Sequence, residues 1–431
     1  MFLSKLTNPF KIILKIFKIK DLRSRLLFVL LIFFVFRVMA NIPIPSVDSE
    51  RLKSFFEQFQ VFGLVNIFTG GTLENLSIVM LGLGPYITAT VVLQLLSMIF
   101  PQLELLYKEE GESGRNKFEQ YGRILTVPLC MLQAYAMLSL FQRQGVIGAL
   151  NPVFLFSSIL TITAGTVILM WFGELISERG IGNGTSLLIF AGIISGFPQN
   201  ALQIYAGLKG GTFQAISSII FLLFSLFIIF GVVLITEARR NIPVAYARRV
   251  RGRKMYGGAK TYLPLNINPA GVMPIIFALS LLTLPSMIAN FFVGTQGQIG
   301  NFSQKVVLFF QNPIINGVSY FILVFIFAFF YTMVVFDPKN VADNLKKTGG
   351  FIPGIRPGET TAAFLNHTLN RILPIGALFL GAIALSPSII AKITKIQAFQ
   401  FLVGGTSLLI LVSVILETYQ EVKAYMQMQE L

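Results

Sequence analysis

The chain has 431 residues, and its balance of apolar and charged side chains excludes an ordinary soluble protein. Hydrophobic residues make up 54% of it and charged residues only 12%, with a mean hydropathy of +0.74, whereas soluble domains carry about 25% charged residues. The net charge of +15 is read as a topology signal, because basic residues concentrate in cytoplasmic loops, and does not by itself indicate nucleic acid.

The N-terminal segment, residues 1–23, interleaves lysines with Leu, Ile and Phe. This pattern is typical of a helix that lies in the lipid headgroup region. It does not resemble a cleaved signal peptide, because long apolar segments continue to the end of the chain. We therefore expect an interfacial amphipathic segment ahead of the first span.

Ten apolar windows in the rest of the chain are long enough to cross about 30 Å of hydrocarbon as helices. The predicted spans cover residues 24–41, 76–100, 122–141, 153–175, 184–204, 214–236, 270–292, 315–336, 371–391 and 402–422. Alternate loops hold 26 of the 34 Lys and Arg residues, which places both termini in the cytoplasm. The sequence therefore predicts an all-α polytopic membrane protein.

The predicted spans divide into two halves of five. The first half covers 24–204, an external hinge loop covers 205–213, and the second half covers 214–431 with cytoplasmic loops at 237–266 and 337–370. Because five is odd, the second half enters the bilayer from the opposite side, which is the layout of an inverted repeat.

Gly and Pro cluster within or beside three spans. The clusters are Gly82, Gly84 and Pro85; Gly180, Gly182 and Gly184; and Pro269, Gly271 and Pro274. Non-helical backbone at membrane depth is tolerated beside a water-filled cavity, whereas small residues also permit close helix packing. Both interpretations stay open. The apolar segment Val61–Thr72 is too short to span and is predicted to be re-entrant or interfacial.

The two longest cytoplasmic loops are candidate binding surfaces. The segment Arg239–Asn266 contains eight basic residues, and the second loop runs from Phe336 to Leu365. Arg and Lys at this density can bind anionic lipid, RNA phosphates or an acidic protein surface. Topology alone is the simpler explanation.

Enzymatic and cofactor motifs are weak or missing in the sequence. GIGNG at 180–184 and GGAKT at 257–261 lack the spacing and strand context of nucleotide-binding loops, and neither HExxH nor GxSxG occurs. Cys130 is expected to face lipid or fill packing space, and His367 to lie in a polar loop without metal partners. We expect no enzyme, cofactor or metal site.

Several ordered motifs resemble the SecY family along nearly the whole chain. They are FGLVNIFTGG, LGLGPYITATVVLQLL, ERGIGNGTSLLIFAGI, RRNIPVAYARR, TYLPLNINPAGVMP, DNLKKTGGFIPGIRPG and GGTSLLI. The resemblance implies a clam-like channel of two five-helix halves in the bacterial cytoplasmic membrane. Such a channel would pass unfolded secretory polypeptides across and release hydrophobic segments sideways into lipid.

The same resemblance assigns roles to individual residues. The pore ring would be Leu83, Ile87, Ile189, Ile276 and Ile410; the plug, at 61–72, would include Phe62, Leu64, Val65, Ile67 and Phe68. Thr90 and Ser280 would line a lateral gate, between the second and third spans on one side and the seventh and eighth on the other. Arg248, Arg249, Arg251 and Arg356 would contact the motor SecA or the ribosome.

The implied partners are the membrane subunits SecE and SecG, the ATPase SecA, the ribosome, signal-bearing polypeptides and anionic lipids, but not DNA. A small-solute secondary transporter is the alternative function, since it also fits ten spans and broken helices. The scarcity of ionisable residues inside the spans argues against that alternative, because coupled carriers use such groups.

Overall fold

The structure is a computed structural model of the chain. It describes residues 19–44, 69, 71–73, 75–108, 111–143, 145–148, 151–209, 215–246, 249–251, 254–256, 260–292, 297–394 and 405–429. The helices are α1 Lys20–Ala40, α2 Gly84–Ile99, α3 Pro101–Lys108, α4 Gly111–Arg143, α5 Pro152–Arg179, α6 Gly184–Lys209, α7 Ala215–Glu237, α8 Met273–Phe292, α9 Gln298–Gln311, α10 Pro313–Val335, α11 Pro338–Lys347, α12 Glu359–Thr394 and α13 Gly405–Gln429. The strands are β1 Arg239–Tyr246, β2 Arg249–Arg251, β3 Lys254–Tyr256, β4 Lys260–Asn266 and β5 Gly350–Phe351.

Within the described ranges, each predicted span overlaps one helix, namely α1, α2, α4, α5, α6, α7, α8, α10, α12 and α13. Five helical segments are long and apolar enough by themselves to cross a membrane: Ser113–Gln142, Pro152–Arg179, Ile219–Glu237, Ile314–Lys347 and Glu359–Ser386. The structure therefore confirms a polytopic membrane fold that is mostly helical.

Two local predictions were wrong. The second span becomes helical only at Gly84, and residues 76–83 form turns. His367 lies on α12 as an exposed helical residue, because that helix starts at Glu359 rather than near 371.

Cys130 is fully buried among apolar side chains, so it fills packing space and does not face lipid.

Backbone contacts divide the chain into two compact units. The first comprises described residues within Met1–Ala215, Thr283–Asn312 and Ile410–Leu431, and the second those within Ile216–Leu282 and Pro313–Leu409. One boundary falls after Ala215, close to the predicted hinge loop, and another falls inside α8. The predicted halves, 24–204 and 214–431, stay a prediction.

A three-stranded antiparallel sheet in the second unit has the order β4-β1-β5. Its register pairs Asn241 with Pro264 and Pro243 with Tyr262. Proline has no N–H to donate, so both prolines fit positions where the backbone nitrogen points away from the paired strand. The sheet joins the two predicted cytoplasmic loops, because β1 and β4 come from the first and β5 from the second.

One apolar cluster holds this sheet on the helix that follows it. Ile242 and Leu265 from the strands pack with Ile352 and with Leu365 of α12. The helix α11 precedes β5 and begins with a capping residue, because the Asp337 carboxylate accepts hydrogen bonds from the backbone N–H groups of Lys339 and Asn340. The described strands β1, β4 and β5 of the two loops therefore form one folded structure with the start of α12.

In the first unit, the start of α1 is tied to the end of α13. The Tyr425 hydroxyl donates to Asp21 Oδ2 at 2.8 Å, and the Arg25 guanidinium lies 5.0 Å from the centre of the Tyr425 ring. Arg25 Nη1 also donates to the carbonyl of Gly180 at 3.3 Å. Leu22, Ile181 and Val422 form the apolar base of this junction.

We expect Asp21→Asn to speed amide hydrogen exchange in the last turns of α13. The Tyr425 hydrogen bond, and secondly Arg25, hold the pKa of Asp21 below its usual value, so the charged form is the one that stabilises the junction. A lowered folded pKa means that this stabilisation is present above the unfolded pKa and is lost as pH falls through the folded one. Hydrogen exchange with mass spectrometry measures the effect.

The matched control is Asp343→Asn, on the exposed surface of α11. Unchanged exchange in α13 with Asp21→Asn would contradict the role given to this junction.

Candidate functional site

The five residues predicted to form the pore ring all lie near helix starts. Leu83 is the residue before α2, and Ile87 lies one turn into it. Ile189, Ile276 and Ile410 lie within the first two turns of α6, α8 and α13. Four belong to the first unit and Ile276 to the second.

The exposed fraction of these side chains indicates whether they face lipid or the protein interior. Leu83, Ile189, Ile276 and Ile410 are buried, and Ile87 is half-buried. A side chain that contacts lipid would be exposed on the isolated chain. The structure therefore favours interior positions.

The chain before α2 forms buried turns instead of helix. Ile78 N donates to Ile42 O at 3.0 Å, and Ile44 N donates to Leu76 O at 2.9 Å. The Thr72 hydroxyl donates to the carbonyl of Thr69. Non-helical backbone inside a membrane protein needs such partners, and Ile42 and Ile44 after α1 supply two of them.

Close helix packing explains the glycines before α6. A Cβ on Gly184 would collide with the carbonyl oxygen of Gly173 in α5, and Gly182 has a φ of +83°. The Asn183 side chain accepts from the backbone N–H of Thr185 and Ser186, which caps α6. The packing interpretation therefore holds at Gly184, whereas Gly182 permits a turn that other residues rarely adopt.

The start of α8 is fixed by a turn in the second unit. Gly271 has a φ of +62°, and its carbonyl accepts from the Asn268 side chain at 2.9 Å. The Tyr320 hydroxyl of α10 donates to the Ile275 carbonyl at 3.4 Å, and Phe277 packs edge-on against Phe327. Ile276 therefore lies in the first turn of α8, where its neighbours are held by contacts with α10.

The predicted gate residues both have half-buried side chains. The Thr90 hydroxyl donates to the carbonyl of Tyr86, one turn earlier in α2. Ser280 lies one turn beyond Ile276 on α8. Thr90 belongs to the first unit and Ser280 to the second.

The comparisons with known proteins agree with each other. A model of the SecY family matches residues 77–419. The chain is 40% identical over 421 residues to the protein translocase subunit SecY of Aquifex aeolicus, covering 95% of this chain and 96% of the relative. It is 43% identical over 430 residues to that of Streptomyces galbus, with the same coverage.

The chain belongs to the SecY family.

Solved structures show the same fold. One described as a protein conducting channel superposes with a TM-score of 0.63 at 20% identity, covering 92% of this chain and 91% of that one. Sec61 in a canine ribosome-channel complex from the endoplasmic reticulum gives a TM-score of 0.60 at 19% identity, with 92% and 91% covered. The SecY-family fold is thereby shown for nearly the full length.

The predicted partner-binding arginines of this SecY-family chain differ in how far they are described. Arg356 is exposed in the loop before α12, where its carbonyl accepts from the hydroxyls of Thr360 and Thr361. Arg249 and Arg251 lie in β2, which pairs with β3 as a short hairpin. Arg248 and the plug residues Phe62, Leu64, Val65, Ile67 and Phe68 lie outside the described residues.

One carboxylate near the end of α5 is paired with a basic side chain of α4. Glu174 Oε1 of α5 lies 2.6 Å from Arg123 Nε of α4. Among the described residues, no three His, Cys, Asp or Glu side chains group as metal ligands. Sequence reasoning missed the Arg123 partner, and also Gly165 in α5, where a Cβ would collide with the carbonyl oxygen of Ile78.

Proposed function

We propose that this chain is the channel-forming subunit of a protein translocase. It passes unfolded secretory polypeptides across the cytoplasmic membrane and releases hydrophobic segments into the lipid. The main support is its similarity, at 40% and 43% identity over nearly the full length, to two proteins named as translocase subunits. That similarity favours a channel over the small-solute transporter.

The proposed constriction consists of Leu83, Ile87, Ile189, Ile276 and Ile410. Aliphatic side chains offer no fixed charge and no hydrogen bond, so they hold no substrate side chain strongly and let different residues pass. A narrow apolar ring also dewets when it closes, which hinders ions. The ring therefore combines loose contact with a passing chain and a seal in its absence.

Opening needs a ligand that binds the open state better than the closed one, because a ligand shifts an equilibrium only by its differential affinity. A signal-bearing polypeptide that inserts at Thr90 and Ser280 would supply that difference. In this proposal, the segment 61–72 serves as the plug that moves away on opening. Gly and Pro at the starts of α2 and α8 permit the change.

The folded cytoplasmic loops are proposed to dock SecA or the ribosome. Arg248, Arg249, Arg251 and Arg356 would pair with acidic side chains or RNA phosphates, which Arg binds through two parallel hydrogen bonds. SecE and SecG are the proposed membrane partners, and the basic loops would also attract anionic lipids. The distribution of Lys and Arg supports a cytoplasmic location for both termini.

A cross-linking experiment tests the channel directly. With single cysteines introduced by Ile87→Cys or Ile276→Cys, a signal-bearing polypeptide arrested during transport into vesicles is expected to cross-link to both positions. The native Cys130 is buried and can stay. Phe227→Cys, on an exposed face of α7, is the control and is not expected to react.

Active vesicles in which neither ring position cross-links, or in which position 227 reacts equally well, would contradict the proposed passage.

A further inference from the structure

The helix α9 was not predicted from the sequence and lies between two spans. It covers Gln298–Gln311, 14 residues, and is therefore about 21 Å long at 1.5 Å per residue. That is too short to cross about 30 Å of hydrocarbon. By the distribution of basic residues, this part of the chain is on the external side.

The surface of α9 divides into three faces. Gly300 and Ser303 are buried against the protein. A second face carries the exposed apolar residues Ile299 (64%), Phe302 (69%) and Phe309 (52%). With half-buried Val306 they repeat at i, i+3, i+7 and i+10, which is one stripe of a helix.

The third face of α9 is mainly polar. Its exposed side chains are Gln298, Asn301, Gln304, Lys305 and one apolar residue, Leu308. On a helical projection, Lys305 lies between the polar face and the apolar stripe. Such a lysine can extend its ammonium group toward water or lipid phosphate while its methylene chain covers apolar surface.

Chain connectivity places α9 at the membrane surface. Only Asn312, in extended conformation with φ of −69° and ψ of 119°, separates Gln311 from Pro313, the first residue of α10. Consecutive Cα atoms are about 3.8 Å apart, so the end of α9 cannot be far from the point where α10 enters the bilayer. Ile314, in the first turn of α10, is also largely exposed.

We infer that α9 lies in the headgroup region of the external leaflet as a lipid anchor. Ile299, Phe302 and Phe309 insert into the boundary with the acyl chains, Gly300 and Ser303 face the protein, and Lys305 meets the lipid phosphates. Interfacial helices with this division into polar and apolar faces bind by the area they bury and by their charge. The anchor fixes the external end of α8, the helix that also contains Ile276 and Ser280. This inference needs only that α8 and α10 span the membrane, and it holds whether or not the chain conducts polypeptide.

The single tryptophan of the chain permits a test by fluorescence. In a Trp171→Phe background, Phe302→Trp reports on the apolar stripe, and Gln304→Trp is the matched control on the polar face. Phe309→Trp is a second reporter on the same stripe, to be used if the Phe302→Trp variant does not fold. Each variant is reconstituted in phosphatidylcholine and phosphatidylglycerol vesicles, with or without bromine on the acyl chains.

The tryptophan at 302 or 309 is expected to emit at shorter wavelength than the one at 304, to lose intensity with brominated lipid, and to resist quenching by iodide in the external buffer. The tryptophan at 304 is expected to show the reverse. Equal iodide quenching at 302 and 304 would overturn the inference, because it would place the stripe in water. Protection of 302 and 309 from both quenchers would also overturn it, because another protein surface would then cover α9.

Discussion

Gly165→Ala is expected to lower the apparent melting temperature of the purified chain in detergent, whereas Gly122→Ala is not. A Cβ on Gly165 would collide with the carbonyl oxygen of Ile78 and would also lie 3.1 Å from Val79 Cγ1. The backbone at Ile78 cannot easily withdraw, because its N–H donates to Ile42 O. Overpacking costs about 1–3 kcal/mol, and a backbone obstacle places the cost toward the upper end.

The control removes the effect of helix propensity from the comparison. Gly122 in α4 is also a helical glycine, but its Cβ would meet only Leu93 Cδ1 at 3.7 Å. Both changes gain about 1 kcal/mol from replacing helical Gly with Ala, so their difference reports the collision at Gly165. Equal melting temperatures for the two variants would contradict the tight contact between α5 and the turns before α2.

Arg356→Glu is expected to reduce transport driven by SecA strongly, by at least about tenfold, while the melting temperature stays unchanged. The Arg356 side chain is exposed. Reversing its charge is therefore expected to leave the packing of the folded chain unchanged. Its charge is available to a partner, and breaking a buried charge pair at an interface costs about 2–5 kcal/mol. The measurement is ATP-dependent import of a signal-bearing precursor into vesicles that contain SecA.

Two controls separate position from charge. Lys346→Glu reverses a charge near the end of α11. We expect a smaller loss of import, because this variant changes the net charge of the loop without removing the proposed contact at Arg356. Arg356→Lys keeps the charge but loses the planar fork, and is expected to retain intermediate activity. Similar losses for Arg356→Glu and Lys346→Glu would argue against a specific contact at Arg356.

The helical spans were predictable because hydropathy averaged over about 19 residues detects the length of apolar segments. The start of α2 was not, since residues 76–83 are as apolar as the helix that follows. There the backbone N–H of Ile78 and the carbonyl of Leu76 form hydrogen bonds with Ile42 and Ile44 instead of helical ones. Contacts between distant parts of the chain leave no signal in a local window.

The sheet in the two predicted cytoplasmic loops was missed for a different reason. Pro243 and Pro264 interrupt both long strands, and proline ordinarily argues against a strand. Only the register shows that each occupies a position where no N–H is required. Gly165 was missed because the sequence does not show which part of the chain packs against a single glycine in an apolar helix.

The prolines of this sheet also affect whether an unfolded polypeptide can pair with its outer strands. An unfolded polypeptide has free backbone N–H and C=O groups along its whole length. It can form backbone hydrogen bonds with an unprotected edge strand. Pro264 removes a donor from the outward side of β4, and Pro243 does the same on the side of β1 beyond its short pairing with β5. Each outer edge of the sheet therefore lacks one hydrogen-bond donor that an added strand would need in order to pair there.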